Sequence, residues 1–190
     1  MEKVTVLAGG VGGAKLVDGL AKILPPEKLN IIVNTGDDFE YLGLKISPDL
    51  DTVCYTLAGI ANPETGWGLS DEPWNTYQEL AALCGPDWFQ IGDHDLATHL
   101  FRTEGLRKGR KLSEITRDLC VAWGMAHIVY PMSDEPVQTI VHTEGGEALG
   151  FQEYFVHQAC RPVVKSFEFA GIEKASPVLA ALQEIGRAHV

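Results

Sequence analysis

The sequence predicts an α/β fold with a mainly parallel sheet, organised as a single domain over residues 1–190. Three observations predict it. The β-branched, apolar run Val4–Ala8 stops at Gly9-Gly10 and reads as a buried strand. From Gly13 to Leu24 the apolar residues Leu16, Leu20, Ile23 and Leu24 fall at helical spacing, with Lys15, Asp18 and Lys22 between them. A second apolar run, Leu29–Asn34, follows Pro25-Pro26, which ends the helix. Strand, glycine turn, helix and strand in that order make a βαβ unit with a right-handed crossover and parallel strands.

The remaining elements follow by the same reasoning. Residues 39–50 read as a loop around Gly43 and Pro48, and Asp51–Ile60 as a short helix capped by Asp51. Asn62–Asn75 carries Pro63, Gly66, Gly68 and Pro73 with Trp67 and Trp74, and reads as an ordered loop. Helices are expected over Thr76–Cys84, over Asp93–Gly105 with Leu96, Leu100 and Phe101 on one face, and over Ser113–Trp123. Ile128–Tyr130 and Val137–His142 read as strands, Glu144–Glu147 as a hairpin turn before Ala148–Phe151, and Pro177–Ile185 as a helix begun by Ser176 and Pro177. There is no internal repeat and no low-complexity tract.

Composition excludes several function classes. Fifteen Lys+Arg against 26 Asp+Glu give a net charge of −11, the wrong sign for a nonspecific nucleic-acid binder. A hydrophobic fraction of 45% with 22% charged residues is that of a folded domain. Apolar runs such as Val4–Ala8 and Ile31–Val33 are far too short to span a bilayer, and Met1-Glu2-Lys3 does not begin a signal peptide. Cys54, Cys84, Cys120 and Cys160 are widely spaced with no CxxC, so small buried hydrophobes in a reducing, cytoplasmic compartment are expected.

Five segments carry chemistry. Gly9-Gly10-Val11-Gly12-Gly13-Ala14-Lys15 joins a strand to a helix, where bare backbone N–H groups and the helix N-terminus suit a phosphate and Lys15 adds charge. It is neither a Walker A loop nor a clean GxGxxG, since Lys15 stands at the third glycine. Asn34-Thr35-Gly36-Asp37-Asp38 lies at the carboxyl end of the second strand, the edge at which parallel sheets bind ligands. Its acids suit a ribose hydroxyl or a magnesium ion held through water. Asp49 and Asp51, two apart at a helix start, suit a divalent metal or a donor hydroxyl, although capping accounts for one of them. Asp93-His94-Asp95, followed by His99, suits metal, substrate or proton transfer, or an ordinary helical pair between Asp95 and His99. Ser133 and Asp134 are polar residues held between Pro131 and Pro136 at a strand end. His127, His142, His157 and His189 show no partner spacing and read as structural or surface residues; of the tryptophans, Trp67 in its glycine loop is the one placed to meet a flat ligand.

Taken in order, GGVGGAKL, NTGDD, ISPDLDT, WGLSDEPWNTY, GDHDLATHL, PMSDEPVQT and GFQEYFV resemble the 2-phospho-L-lactate transferase family of coenzyme F-420 biosynthesis, from residue 3 to about residue 185. The resemblance implies a Rossmann-like three-layer sandwich, a homodimer and a requirement for Mg2+. It implies transfer of a phospholactyl group from lactyl-2-diphospho-5'-guanosine, or of its enolpyruvyl counterpart, to the terminal hydroxyl of the deazaflavin FO, with loss of GMP. The partners implied are these small molecules, with no nucleic acid and no membrane. Gly9, Gly10, Gly12, Gly13 and Lys15 match the family's nucleotide loop, and Asp37 and Asp38 its NTGDD acids. Asp51 matches an aspartate assigned to FO, and His94 stands where the family has Arg or Lys with the same assignment. Members of the family continue past the equivalent of residue 190 with further strands, so this domain is expected to be incomplete relative to them.

On that basis the backbone of Gly10–Gly13 with Lys15 is expected to hold the diphosphate. Asp49 or Asp51, with Asp37 or Asp38, would hold magnesium, and Asp51 or Asp93 would accept the hydroxyl proton. The rivals are an inactive fragment and a nonenzymatic nucleotide- or sugar-nucleotide-binding regulator of the YvcK type, which has a similar glycine loop. Phe39-Glu40-Tyr41-Leu42 after the acids, in place of a glycine- and serine-rich run, favours the transferase. An oxidoreductase is disfavoured by the missing third glycine.

Overall fold

The computed structural model describes residues 3–185. Strand β1 (Val4–Ala8) runs into helix α1 (Gly10–Ala21), and β2 (Leu29–Val33) lies parallel to β1 with Val4 opposite Leu29 and Ala8 opposite Val33. This is the expected βαβ unit. The third strand of the sheet, β5 (Val129–Pro131), is parallel to β2 on its other side, so the order is β1-β2-β5. The ladder runs on past the strand ends through Asn34 N–H to Ala8 O and Met132 N–H to Val33 O.

Alternation along the strands sorts the two faces. Val6, Ala8, Ile31 and Val33 pack against Ala14 and Val17 of α1 and against Leu50, Val53 and Cys54 of helix α2 (Pro48–Ala58). Leu112 and Cys120 of helix α5 (Leu112–Ala122) complete this core. Leu7 and Ile32, which pair in register, point the other way, where helix α6 (Leu179–Ile185) covers Ile32 with its buried Ala181. Helices thus flank both faces, and the α/β fold with a parallel sheet is as expected.

Three features differ from the expectation. Residues 39–46 are not a loop but a hairpin, β3 (Phe39–Tyr41) with β4 (Leu44–Ile46), turned by Leu42 and Gly43 at φ of 53° and 74°. Two successive positive φ angles suit the strand twist, but Leu is an unusual residue to adopt one. Helix α2 starts at Pro48 rather than after Asp51, because proline is preorganised for the first helical position; Asp51 is therefore inside the helix and caps nothing. Beyond β6 (Gln138–Thr143) and β7 (Ala148–Gly150), a strand not expected from the sequence, β8 (Val164–Ala170), closes an antiparallel sheet of order β7-β6-β8.

The other helices, α3 (Asn75–Ala82) and α4 (Asp93–Arg107), lie close to the expected positions. Two of the cysteines were expected to be buried and are not: Cys54 and Cys120 are buried, whereas Cys84 and Cys160 are exposed on left-handed turn positions, and all four are free thiols.

Candidate functional site

A cavity of about 760 Å³ opens at the carboxyl end of β1, between the first turns of α1 and α2, helix α4 and two loops. The glycine turn forms one rim for a specific reason. Gly10 sits at φ 58°, and its N–H donates to Asp49 Oδ1 at 2.9 Å. A Cβ on Gly9 would lie 2.8 Å from Asp49 Oδ2, so only glycine lets this carboxylate reach the loop. Gly13 serves packing: its Cβ would lie 3.2 Å from Ala8 Cα, so the helix can press on β1. Gly12 is open to solvent, and Lys15 is exposed on the helix outside the cavity wall. The structure therefore places a carboxylate, not vacant space, against the Gly10 N–H, which corrects the expectation that this N–H faces the diphosphate.

Asn34 ties two acids together, donating from Nδ2 to Asp37 Oδ2 at 3.1 Å and to Asp49 Oδ2 at 2.9 Å, while its Oδ1 accepts from Gly36 N–H. Burial, and then the charge of Asp49, raise the Asp37 carboxyl above its ordinary value. Both acids line the cavity. Two carboxylates with spare lone pairs on the wall of this cavity are a donor set that would suit magnesium, since it keeps waters and substrate oxygens for its other positions. A cation there would relieve the Asp49 repulsion that adds to burial in raising Asp37. Asp38 is turned away: its Oδ2 accepts from Ser47 Oγ at 2.6 Å, it lines a separate cavity of about 380 Å³, and burial pushes its carboxyl well above the usual range.

The cavity floor is a buried charged network. Asp51 Oδ1 pairs with the Arg102 guanidinium. Arg102 also donates from Nη1 to His99 Nδ1 at 3.2 Å and to Lys45 O at 3.3 Å. A guanidinium only donates, so Nδ1 is an acceptor and the His99 proton is on Nε2, which faces Asp95 Oδ2 at 3.2 Å. Tyr55 Oη donates to Asp95 Oδ1 at 2.6 Å. Burial raises Asp51 above its ordinary value against the pull of the Arg102 guanidinium. In Asp95 the effect of burial is outweighed by the hydrogen bonds from His99 and Tyr55 and by the charge of Arg102, which hold the carboxyl below its ordinary value. Asp51, Asp95 and His99 could each offer a ligand atom within 4.8 Å of the others. Arg102 takes Asp51 Oδ1 and the His99 Nδ1 lone pair, so as it stands the trio is part of an ion-pair network that leaves Asp51 Oδ2 without a partner.

The far wall is aromatic. Trp67, Trp88, Phe89, Phe151 and Phe155 line it. A wide π-type turn, Glu153–His157, presents Phe155 stacked on Phe151 at 5.6 Å and His157 stacked on Trp88 at 5.3 Å. Gly66 holds the Trp67 loop down on Val11, since a Cβ there would lie 2.7 Å from Val11 Cγ1.

The structure thus brings Gly9, Gly10, Asp37, Asp49 and Asp51 together and, besides Gly12, Gly13, Lys15 and Asp38, leaves four further expected residues elsewhere. Asp93 is half-buried outside the cavity and caps α3, accepting from Thr76 N–H at 2.9 Å and from the Asn75 amide, which lowers its carboxyl to about 2, far too acidic for a general base. The His94 side chain is 63% exposed and faces Glu72, off the cavity wall. Asp134 receives Ser113 N–H at 2.7 Å at the start of α5, and Ser133 Oγ bonds Glu135 at 2.8 Å. Arg102 was not singled out by the sequence reading. Its signal was present as the spacing of Asp95, His99 and Arg102 at i, i+4 and i+7, one face of one helix.

Fold and site together define a parallel α/β protein whose acid-lined ligand cleft sits at the carboxyl end of β1 and β2. The chain belongs to the 2-phospho-L-lactate transferase CofD family, whose model matches residues 4–190. It is 44% identical over 192 residues to a phosphoenolpyruvate transferase of Streptomyces griseus, covering 99% of this chain and 60% of that protein. A phosphoenolpyruvate transferase of Mycobacterium tuberculosis is 41% identical over 207 residues, with 99% and 62% covered. The chain therefore spans about 60% of the length of these relatives. Two crystal structures of a Bacillus halodurans protein, one described as of the upf0052 family, superpose with TM-scores of 0.62 and 0.61 at 15% identity, over 99% of this chain and 57% of theirs. That likeness is one of fold. Among the described residues no helix is long and apolar enough to cross a membrane.

Proposed function

We propose that this chain carries the acceptor and metal half of a transferase that moves an enolpyruvyl-phosphate or 2-phospholactyl group from a guanosine diphospho-ester to the deazaflavin FO. The observation that carries the reading is the meeting of two chemistries in one cavity. A wall of Trp67, Trp88, Phe89, Phe151 and Phe155 suits a flat ring, and Asp37, Asp49 and Asp51 lie across from it. The names of the relatives favour the enolpyruvyl donor.

In the reaction the terminal FO hydroxyl attacks the phosphorus esterified by the enolpyruvyl or 2-lactyl oxygen. The bond from that phosphorus to the GMP oxygen breaks, GMP leaves with the electron pair, and the hydroxyl proton passes to a carboxylate. Such transfers need positioning and charge neutralisation more than covalent help. Asp51 is the carboxylate placed to take the proton, and Asp37 and Asp49 are the residues that would hold Mg2+. The ion would supply charge stabilisation at the diphosphate. The first turn of α1, where a helix leaves its N–H groups without intrahelical acceptors, would offer the Val11 N–H to a phosphate oxygen.

The test is incubation of the folded chain with FO, Mg2+ and each guanosine diphospho-donor, followed by mass detection. GMP and the phosphodiester of FO are expected to appear together, faster with the enolpyruvyl donor. A folded sample that yields neither removes the reading.

A further inference from the structure

One atom on the cavity floor has no partner in the protein. Asp51 Oδ2 is enclosed and accepts no hydrogen bond, although the residue is only 6% exposed. The nearest candidate donor, His99 Nδ1 at 3.7 Å, is itself accepting from Arg102 and has no proton to give. A buried acceptor left bare costs free energy, and burial as deep as this calls for a partner from outside the chain. Asp51 is one of the residues that line the cavity, so that is the side from which a partner can approach. It must bring a donor, as an alcohol does.

The other carboxylate oxygen explains why Oδ2 is aimed as it is. Arg102 is 2% exposed and lies beneath the cavity rather than on its wall. One arm of its fork pairs with Asp51 Oδ1, and the other is anchored by His99 Nδ1 and Lys45 O. His99 is fixed in turn by Asp95, and Asp95 by Tyr55. A planar guanidinium gripped at both ends can hold a carboxylate in one rotation, which a flexible ammonium cannot.

We infer that Arg102 is a positioning residue: by taking Asp51 Oδ1 and holding His99 as an acceptor, it reserves Asp51 Oδ2 for the hydroxyl of the alcohol substrate. The inference rests on the acceptor reading above and deepens it, since it makes the hydroxyl a recognised group as well as the reacting one. A site with a buried acceptor rejects an analogue that lacks the matching donor.

The experiment compares affinities of the 190-residue chain for FO and for its analogue lacking the terminal hydroxyl, followed by deazaflavin fluorescence. The wild-type chain is expected to bind FO about 10- to 100-fold more tightly than the deoxy analogue, the range for a hydrogen bond to a charged group. Arg102→Gln is expected to erase the preference by weakening FO alone, leaving the analogue unchanged, and Arg102→Lys to restore no more than part of it. Equal weakening of both compounds in the variants, or no preference in the wild type, overturns the inference. Should Arg102→Gln not fold, Arg102→Lys, which keeps charge and stem, decides by the same comparison. If the wild-type chain binds neither compound, the acceptor reading fails, and crystal structures of the wild-type and Arg102→Lys chains decide the positioning role separately. Rotation of the Asp51 carboxylate off its aim supports it, and an unchanged side-chain angle overturns it.

Discussion

A single hydrogen at position 9 decides what the glycine turn can do. A methyl group there would lie 2.8 Å from Asp49 Oδ2, so Gly9→Ala is expected to push the carboxylate off the Gly10 N–H and away from Asp37. With Mn2+ as a paramagnetic stand-in for Mg2+, the variant is expected to bind about 10- to 100-fold more weakly, as when a metal ligand loses its support, and Asp49→Asn to lose the site. Unaltered Mn2+ relaxation in both variants would remove Asp49 from the metal site. The glycines themselves were legible, because strand, GGVGG and helix follow one another in the chain. Their purpose was not, because the partner that demands Gly9 is 40 residues further on. Asp93 shows the opposite case, an acid whose conspicuous neighbours suggested catalysis while its hydrogen bonds say capping. Its folded pKa of about 2 lies below the ordinary value, because Thr76 and Asn75 donate to the ionised form. A depressed carboxyl contributes stability that is present above the unfolded value near 4 and is lost as pH falls towards 2. Asp93→Asn is therefore expected to flatten the fall of melting temperature between about pH 4 and pH 2, with the wild-type curve steeper. Parallel curves would show that the cap contributes nothing.

Elements were legible in proportion to how much of their reason is local. The β1-α1-β2 unit was readable because apolar period and breakers agree with the tertiary structure. The hairpin β3–β4 was not: its strands are three residues each, and its turn uses Leu42 at positive φ. Strand β8 was missed because all seven of its residues are exposed, so no buried face imposes an alternation. Helix α4 was placed correctly, but the apolar face legible in its sequence is not its most buried one. Its apolar Leu100 and Phe101 are 52% and 45% exposed, while Thr98, His99, Arg102 and Thr103 are buried. The buried polar face is satisfied from outside the helix: Thr103 Oγ1 accepts Lys45 N–H at 2.8 Å, and Arg102 takes Asp51. A periodicity argument assumes that the apolar face goes inward, and it fails where the floor of a ligand cavity needs charges. The inversion is testable. Leu100→Gln is expected to change stability by no more than about 0.5 kcal/mol, as at an ordinary surface position. Ile115→Ala, at a fully buried position on α5, is expected to cost about 2–5 kcal/mol in denaturant titration. A large loss from Leu100→Gln would mean that this face is covered.

At the scale of the whole molecule, the sheet has an unprotected side. Strand β1 pairs only with β2 among the described residues, and nothing on its outer edge does what edge strands ordinarily need: it carries no proline, no bulge and no charge. Leu7, on the face that α6 leaves bare, is 72% exposed and opens onto an apolar groove of about 460 Å³ with Ile32, Met132, Ile172 and Ala181. On the antiparallel sheet, Phe167 and Phe169 are likewise 64% and 49% exposed. Contiguous apolar surface beside free backbone groups favours association, and in a solution of this chain alone the available cover is a second copy. The chain is therefore expected to self-associate as its concentration rises through the micromolar range in sedimentation velocity. Leu7→Lys places a charge on the bare face and is expected to move the population towards monomer, since a lysine on an edge strand resists strand addition. Phe167→Lys tests the second surface independently. If Leu7→Lys alone disperses the oligomer, copies meet through β1; if Phe167→Lys alone does, they meet through β8. A monomer at every concentration would show that neither surface is sticky enough to matter, and with it the homodimer expected from the family resemblance would be lost for this chain.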